Sequence, residues 1–249
     1  MHLKLIACKA LYREISLLSA SCPNCIDATY LRQGLHDTPA LLARALQEQI
    51  DHLDSGDDLY SFQPRFGRDL DAVLIGYGLC SNAVIGLKSE RYTLVIPRCD
   101  DCISLILGSR ERYLELFEKH AGNYWYTPSW IENGFVPSEE NQRGMEREYE
   151  ERYGKENALY ILSMEQSLKD YTTFSYADWE RLSFPEHEEY ARRAARFHGM
   201  EFQKYTGNEV FLSDFLNGNW DDRFLIVPPG KTVEAEYNGR LITYEGEQL

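Results

Sequence analysis

Ala72-Val-Leu-Ile-Gly-Tyr-Gly-Leu-Cys80 and Tyr92-Thr-Leu-Val-Ile-Pro-Arg-Cys99-Asp-Asp-Cys102 decide the architecture. Each opens with an aliphatic run too short for a core helix and bounded by glycine or proline, the pattern of a strand buried on both faces. Leu3 to Ala7, running into Cys8, repeats the plan at the start of the chain. Outward from these runs, Ala28 to Leu35 is expected as a further strand. Thr38 to Leu53 is expected as a helix, with Asp37 or Thr38 as its cap and Pro39 in its first turn. Leu41, Leu42, Ala45, Leu46, Ile50 and Leu53 recur there at helical spacing. The first half therefore reads strand, helix, strand, helix, strand, with a helix leaving the Gly76-Tyr77-Gly78 and Ser81-Asn82 turns.

Beyond Cys102, Ile103 to His120 reads as one helix and Asn123 to Thr127 as a strand. Residues 138 to 156 carry Glu139, Glu140, Arg143, Glu146, Arg147 and further charges, as a solvated helix does; the same helix is also a candidate partner surface. Leu159 to Met164 is expected as a strand, Tyr176 to Phe197 as a long helix, Glu201 to Tyr205 as a strand and Phe211 to Leu216 as a helix. Phe224 to Val227 reads as a strand, and Thr232 to Tyr237 with Leu241 to Tyr244, joined across Asn238-Gly239, as a hairpin. The expected fold is α/β, a mainly parallel sheet with helices on both faces (Rossmann-like) plus a C-terminal β-hairpin. One domain over 1–249 is expected; a subdivision would fall at 1–135 and 136–249.

The chain has 249 residues, and 26 lysines and arginines against 40 aspartates and glutamates give a net charge of −14. Such a surface repels phosphate backbones and anionic lipid, so neither a nucleic acid nor a membrane is an expected partner. The opening apolar run is too short for a secretory leader, and a cytoplasmic protein is expected. In that reducing setting the six cysteines are metal ligands, redox groups or small buried hydrophobes rather than a disulfide frame.

Placement favours the metal. Cys8, Cys80, Cys99 and Cys102 each follow an apolar strand, and a parallel sheet brings the carboxyl ends of its strands to one edge, where open α/β folds bind ligands. Taken singly, each is most simply a small hydrophobe; together they make a soft donor set for a [4Fe-4S] cluster or zinc. A helix beginning at Cys102 would lower the thiol pKa values through its dipole. His36, Arg98, Asp101, Tyr77 and Asn82 lie where they would serve as substrate or outer-shell groups; Asp100 and Asp101 serve equally well as first-turn acids. Cys22-Pro-Asn-Cys25 is a second C-x-x-C, read as a redox pair or as a plain surface turn. Tyr124, Trp125, Tyr126 and Trp130 would cap a pocket or simply pack a core. No G-x-S-x-G, H-E-x-x-H, P-loop or D-x-H-x-x-G occurs, so a corrinoid cofactor has no supporting motif.

Ile6-Ala-Cys8 with Leu11 and Arg13-Glu14, Leu35-His36-Asp37-x-Pro39, Tyr77-Gly78-x-Cys80-x-Asn82 and Pro97-Arg98-Cys99-x-Asp101-Cys102 with Gly108 resemble the prokaryotic family catalogued as domain of unknown function 1638. The resemblance covers the first half firmly and reaches Tyr126, Trp130, Phe224 to Val227 and Gly230 more loosely. The family often has His where Asp100 stands and Asn where Asp37 stands. The resemblance implies an association with corrinoid-dependent methyltransferases for methylated amines and betaines, with Cys8, Cys80, Cys99 and Cys102 carried over as candidate ligands. Three functions follow as expectations. One is a metalloprotein of methyl-group metabolism acting on a small molecule. The second is a non-catalytic accessory or chaperone protein for a corrinoid methyltransferase with structural zinc. The third is a thiol oxidoreductase using Cys22 and Cys25.

Overall fold

The computed structural model describes residues 1–56, 69–80, 82–120, 122–164, 168–237 and 239–247; Ser81 and Asn238 of the two expected turns lie outside them. In chain order the elements are β1 (His2–Cys8), α1 (Tyr12–Ser19), β2 (Cys25–Leu31), α2 (Pro39–Ser55), β3 (Ala72–Gly76), β4 (Leu94–Pro97), α3 (Cys102–Leu107), α4 (Arg110–Lys119), β5 (Asn123–Tyr126), α5 (Pro128–Asn133), α6 (Glu139–Tyr153), α7 (Lys155–Met164), β6 (Thr173–Asp178), α8 (Pro185–His198), β7 (Glu201–Thr206), α9 (Val210–Asn217), β8 (Phe224–Val227), β9 (Val233–Glu236) and β10 (Leu241–Tyr244). They form an α/β architecture in two compact units, Met1–Tyr113 with Asn208–Leu249, and Leu114–Gly207.

The first unit is built on a five-stranded sheet of order β2-β1-β3-β4-β8. Its first four strands are parallel and β8 runs antiparallel to β4. The aliphatic runs occupy the middle because both their faces are covered: Leu3, Leu5, Ile6, Ala7, Val73, Leu74, Ile75, Leu94, Val95 and Ile96 have no exposed surface. Lys4, the one charge in β1, is buried beside Asp27 of β2 at 3.2 Å, opposite it in register, so the ammonium has a partner. β2 is an edge strand and half-buried. The hairpin β9–β10 is antiparallel.

Spacing is tightest where β1 and β3 end. Ala7 and Gly76 are register partners, and a Cβ on Gly76 would stand 2.6 Å from that of Ala7. The missing side chain draws the two carboxyl ends together, and with them the loops that carry Cys8 and Cys80.

The second unit holds the three-stranded parallel sheet β5-β6-β7. Its core is Tyr126, Phe174 and Tyr176 packed with Ala191, Ala194 and Ala195 of α8, small residues that admit the rings. Tyr124 and Trp130 pack against that core, so the aromatic group near Pro128 is packing rather than a pocket cap.

Several expected elements differ. The helix foreseen over Ile103–His120 breaks into α3 and α4 because Gly108 takes φ +88°, a left-handed conformation in which side-chain-bearing residues are strained, and Asn208 occupies the space where its Cβ would be, 2.5 Å away. No helix joins β3 to β4 among the described residues; Cys80 and Asn82 have φ of +43° and +68°, which a helix cannot contain. Leu159–Met164 belongs to α7 rather than to a strand, and Leu159 and Tyr160 are exposed, so no sheet claims them. The long helix foreseen from Tyr176 starts only at Pro185; Tyr176 and Asp178 belong to β6, whose β-branched and aromatic residues pair with β5 and β7. Among the described residues, no helix is long and apolar enough to cross a membrane.

Gly76→Ala is expected to cost about 1–3 kcal/mol by overpacking. The double variant Ala7→Gly with Gly76→Ala should recover part of it, measured as urea midpoints of the three proteins.

Candidate functional site

The loops after β1, β3 and β4 meet at the carboxyl edge of the first sheet, and backbone bonds tie two of them together. The Leu79 amide donates to the Cys99 carbonyl at 2.8 Å and the Cys80 amide to the Asp100 carbonyl at 3.1 Å. A Cβ on Gly78 would lie 2.8 Å from the Cys99 oxygen and 2.9 Å from the Asp101 Cα, so the two loops touch backbone to backbone. This contact holds Cys80 in its left-handed conformation, which a non-glycine residue adopts only when its surroundings enforce it.

Cys102 lies within electrostatic reach of Cys8, Cys80 and Cys99, and Cys80 within reach of Cys8 and Cys99. Cys8, Cys99 and Cys102 are buried and Cys80 is half-buried. Burial is the main cause that pushes each thiol's pKa up, and Asp101 adds to it for Cys80, Cys99 and Cys102. Loss of hydration outweighs the dipole of a six-residue α3, so the expected lowering does not occur, and at neutral pH the four are thiols. Backbone hydrogen bonding from Ala10 at Cys8, and from Gly78 and Cys102 at Cys80, offsets part of that rise. Cys99 Sγ donates to the Asp101 carbonyl at 3.4 Å.

Tyr77 stands among these thiols, 2% exposed. Its hydroxyl adjoins Cys8 but has no partner of full hydrogen-bond geometry among the described residues, an unusual state for a buried polar atom.

Asp101 caps α3, its Oδ1 accepting from the Ile103 amide at 2.9 Å. Burial pushes its carboxyl up to about 6, against hydrogen bonds from Tyr113 and the Ile103 and Ser104 amides. Asp100 accepts from Arg110 Nε at 2.8 Å. Arg110 and Tyr113 are neighbours of the two aspartates that sequence reading passed over; only the break at Gly108 swings α4 back to reach both.

Other candidates lie elsewhere. Arg98 turns its guanidinium to the hairpin, donating to the Arg240 and Ile242 carbonyls with Glu247 at 3.6 Å. His36 sits in a 3-10 turn, Leu35–Asp37, beyond β2, its Nε2 3.3 Å from Asp37 Oδ1. Asn82 is exposed on the turn after Cys80. Cys25 opens β2 opposite His2, at the amino edge of the sheet. The seven residues of β1 put roughly 20 Å between that edge and Cys8. Cys22 donates to the Leu216 carbonyl at 3.4 Å and to Asn217 Oδ1 at 3.3 Å, while Cys25 is exposed; both are free thiols.

The fold and site together define a mainly parallel α/β protein with a thiol-lined sheet edge. The family model described as "Protein of unknown function (DUF1638)" matches residues 30–216, and the chain belongs to that family. No curated protein and no solved structure matches the chain.

Because the Asp101 pKa of about 6 stands above the ordinary 3.8, the native state holds this proton more tightly than the unfolded chain does. The stability it contributes is complete below pH 3.8 and is lost as pH rises through about 6. Asp101→Asn keeps the capping oxygen, and its urea midpoint should fall less between pH 4 and pH 7 than that of the wild type; identical profiles would assign the slope to other carboxylates.

Proposed function

We propose that the chain is a cytoplasmic metalloprotein that takes a zinc ion or a [4Fe-4S] cluster on Cys8, Cys80, Cys99 and Cys102, and serves corrinoid-dependent methyl-group metabolism, the setting that its family resemblance implies. The observation that supports this reading is the meeting of the Cys80 loop with the Cys99–Cys102 loop, backbone to backbone, at the sheet edge where β1 delivers Cys8.

The donor chemistry fits a soft metal. Among the described residues no three His, Cys, Asp or Glu side chains stand as a group that could hold an ion, so loading has to turn the thiols towards a common point. Bound there, zinc would supply Lewis acidity and a cluster would supply an electron-transfer site. The chain's own parts have separate tasks. The Leu79 and Cys80 amide bonds keep the two cysteine loops together, Asp101 and its Tyr113 partner fix the start of α3, and Tyr77 offers a hydroxyl beside Cys8. Cys99 and Cys102 are 1% and 7% exposed. That burial favours, as a second reading, a closed structural zinc in an accessory protein for a corrinoid methyltransferase.

Metal content and ultraviolet–visible spectra of anaerobically purified wild type and Cys99→Ser test the proposal. Wild type should carry zinc, or iron with a brown charge-transfer band, and Cys99→Ser should lose it, with affinity down at least about tenfold. Equal metal content in both proteins overturns the ligand set. Since the four sulfurs start protonated, zinc uptake should release protons, and affinity should rise between pH 6 and pH 8. A pH-independent affinity would mean that the thiols are not the donors.

A further inference from the structure

Helix α6 of the second unit is fifteen residues long and buries none of them. It packs against α7, a contact that leaves every one of its residues at least partly exposed. Its Met145, Tyr149 and Tyr153 fall four apart and share a stripe. Together with Phe135 and with Ile161 of α7 they line an open groove of about 640 Å³, edged by Glu140, Glu148 and Arg152. Phe135 is 68% exposed and Tyr153 43% exposed, more than isolated surface rings need to be. From Asn141 to Tyr153 the groove follows α6 for roughly 18 Å, about three helical turns.

The charge of helix α6 selects the occupant of its groove. Helix α6 carries Glu139, Glu140, Glu146, Glu148, Glu150 and Glu151 against Arg143, Arg147 and Arg152, a net −3. The Arg152 guanidinium already lies 5.4 Å from the Tyr153 ring centroid, so this aromatic surface receives a cation from its own chain. A second copy would bring the same acidic helix to an acidic chain and be repelled. A small molecule would leave most of a three-turn open groove unfilled.

We propose that the α6 groove docks a basic amphipathic helix of a partner protein. Its apolar residues enter between Phe135, Met145 and Tyr149, and its lysines or arginines meet Glu148 and the tyrosine faces. The inference stands apart from the metal centre, because every residue it uses lies in the second unit.

The test is fluorescence anisotropy of the full chain with a labelled peptide of about 15 leucines and arginines in amphipathic helical order, set against a scrambled peptide of the same composition. Wild type should bind the ordered peptide at least tenfold tighter than the scrambled one, and more weakly as salt rises. Phe135→Ala and Glu148→Lys, both at exposed positions and checked for unchanged circular dichroism and melting, should each weaken binding severalfold, while Glu48→Lys on α2 should not. The proposal is overturned by equal binding of the scrambled peptide, by Glu48→Lys acting as strongly as Glu148→Lys, by the absence of binding, or by a homodimer that the two groove variants dissolve.

Discussion

The approach of β1 to β3 at Ala7 and Gly76 is the constraint on which the rest of the first unit depends. Parallel strands in register end together, and the absent side chain at Gly76 lets these two end closer than a pair of Cβ atoms would permit. Everything beyond that edge inherits the spacing. The Gly78 backbone can then rest on Cys99 and Asp101, and the amide bonds from Leu79 and Cys80 can close. Enlarging one side chain at the edge would therefore act on several loops at once.

Gathering thiols in this way has an electrostatic consequence. Water is excluded from the sulfurs, which raises their pKa values, while backbone hydrogen bonding at two of them favours the charged form. The two effects oppose one another at Cys8 and Cys80, and burial is the larger. Asp101 sharpens this balance, because its carboxyl adds negative charge beside three of the thiols and is itself pushed up to about 6 by burial. The Tyr77 hydroxyl, buried beside Cys8, adds a polar group to the same edge.

The second unit follows a different logic. Its parallel sheet packs aromatic rings against the small alanines of α8, and this accounts for Tyr124, Tyr126 and Trp130 without a ligand. Helix α6 contributes no residue to that core and packs on α7, with Met145 and Tyr149 of its apolar stripe half-buried and Tyr153 exposed. Its internal support comes from charge pairs such as Arg143 with Glu139, which are worth little when exposed.

Periodicity and composition by themselves determined the α/β class, the three aliphatic strands, the helix after Pro39 and the C-terminal hairpin, because each is written in local spacing. The same spacing put Cys8, Cys80, Cys99 and Cys102 at strand ends, and parallel pairing did the rest. Only tertiary structure decided the break at Gly108, where φ and the body of Asn208 outweigh a continuous helical pattern, and with it the return of Arg110 and Tyr113 to the aspartates. It also decided that Arg98 serves the hairpin and that Cys22 and Cys25 stand at the opposite edge from Cys8. Such facts turn on strand direction and long-range contact, and a linear pattern of residue types contains neither.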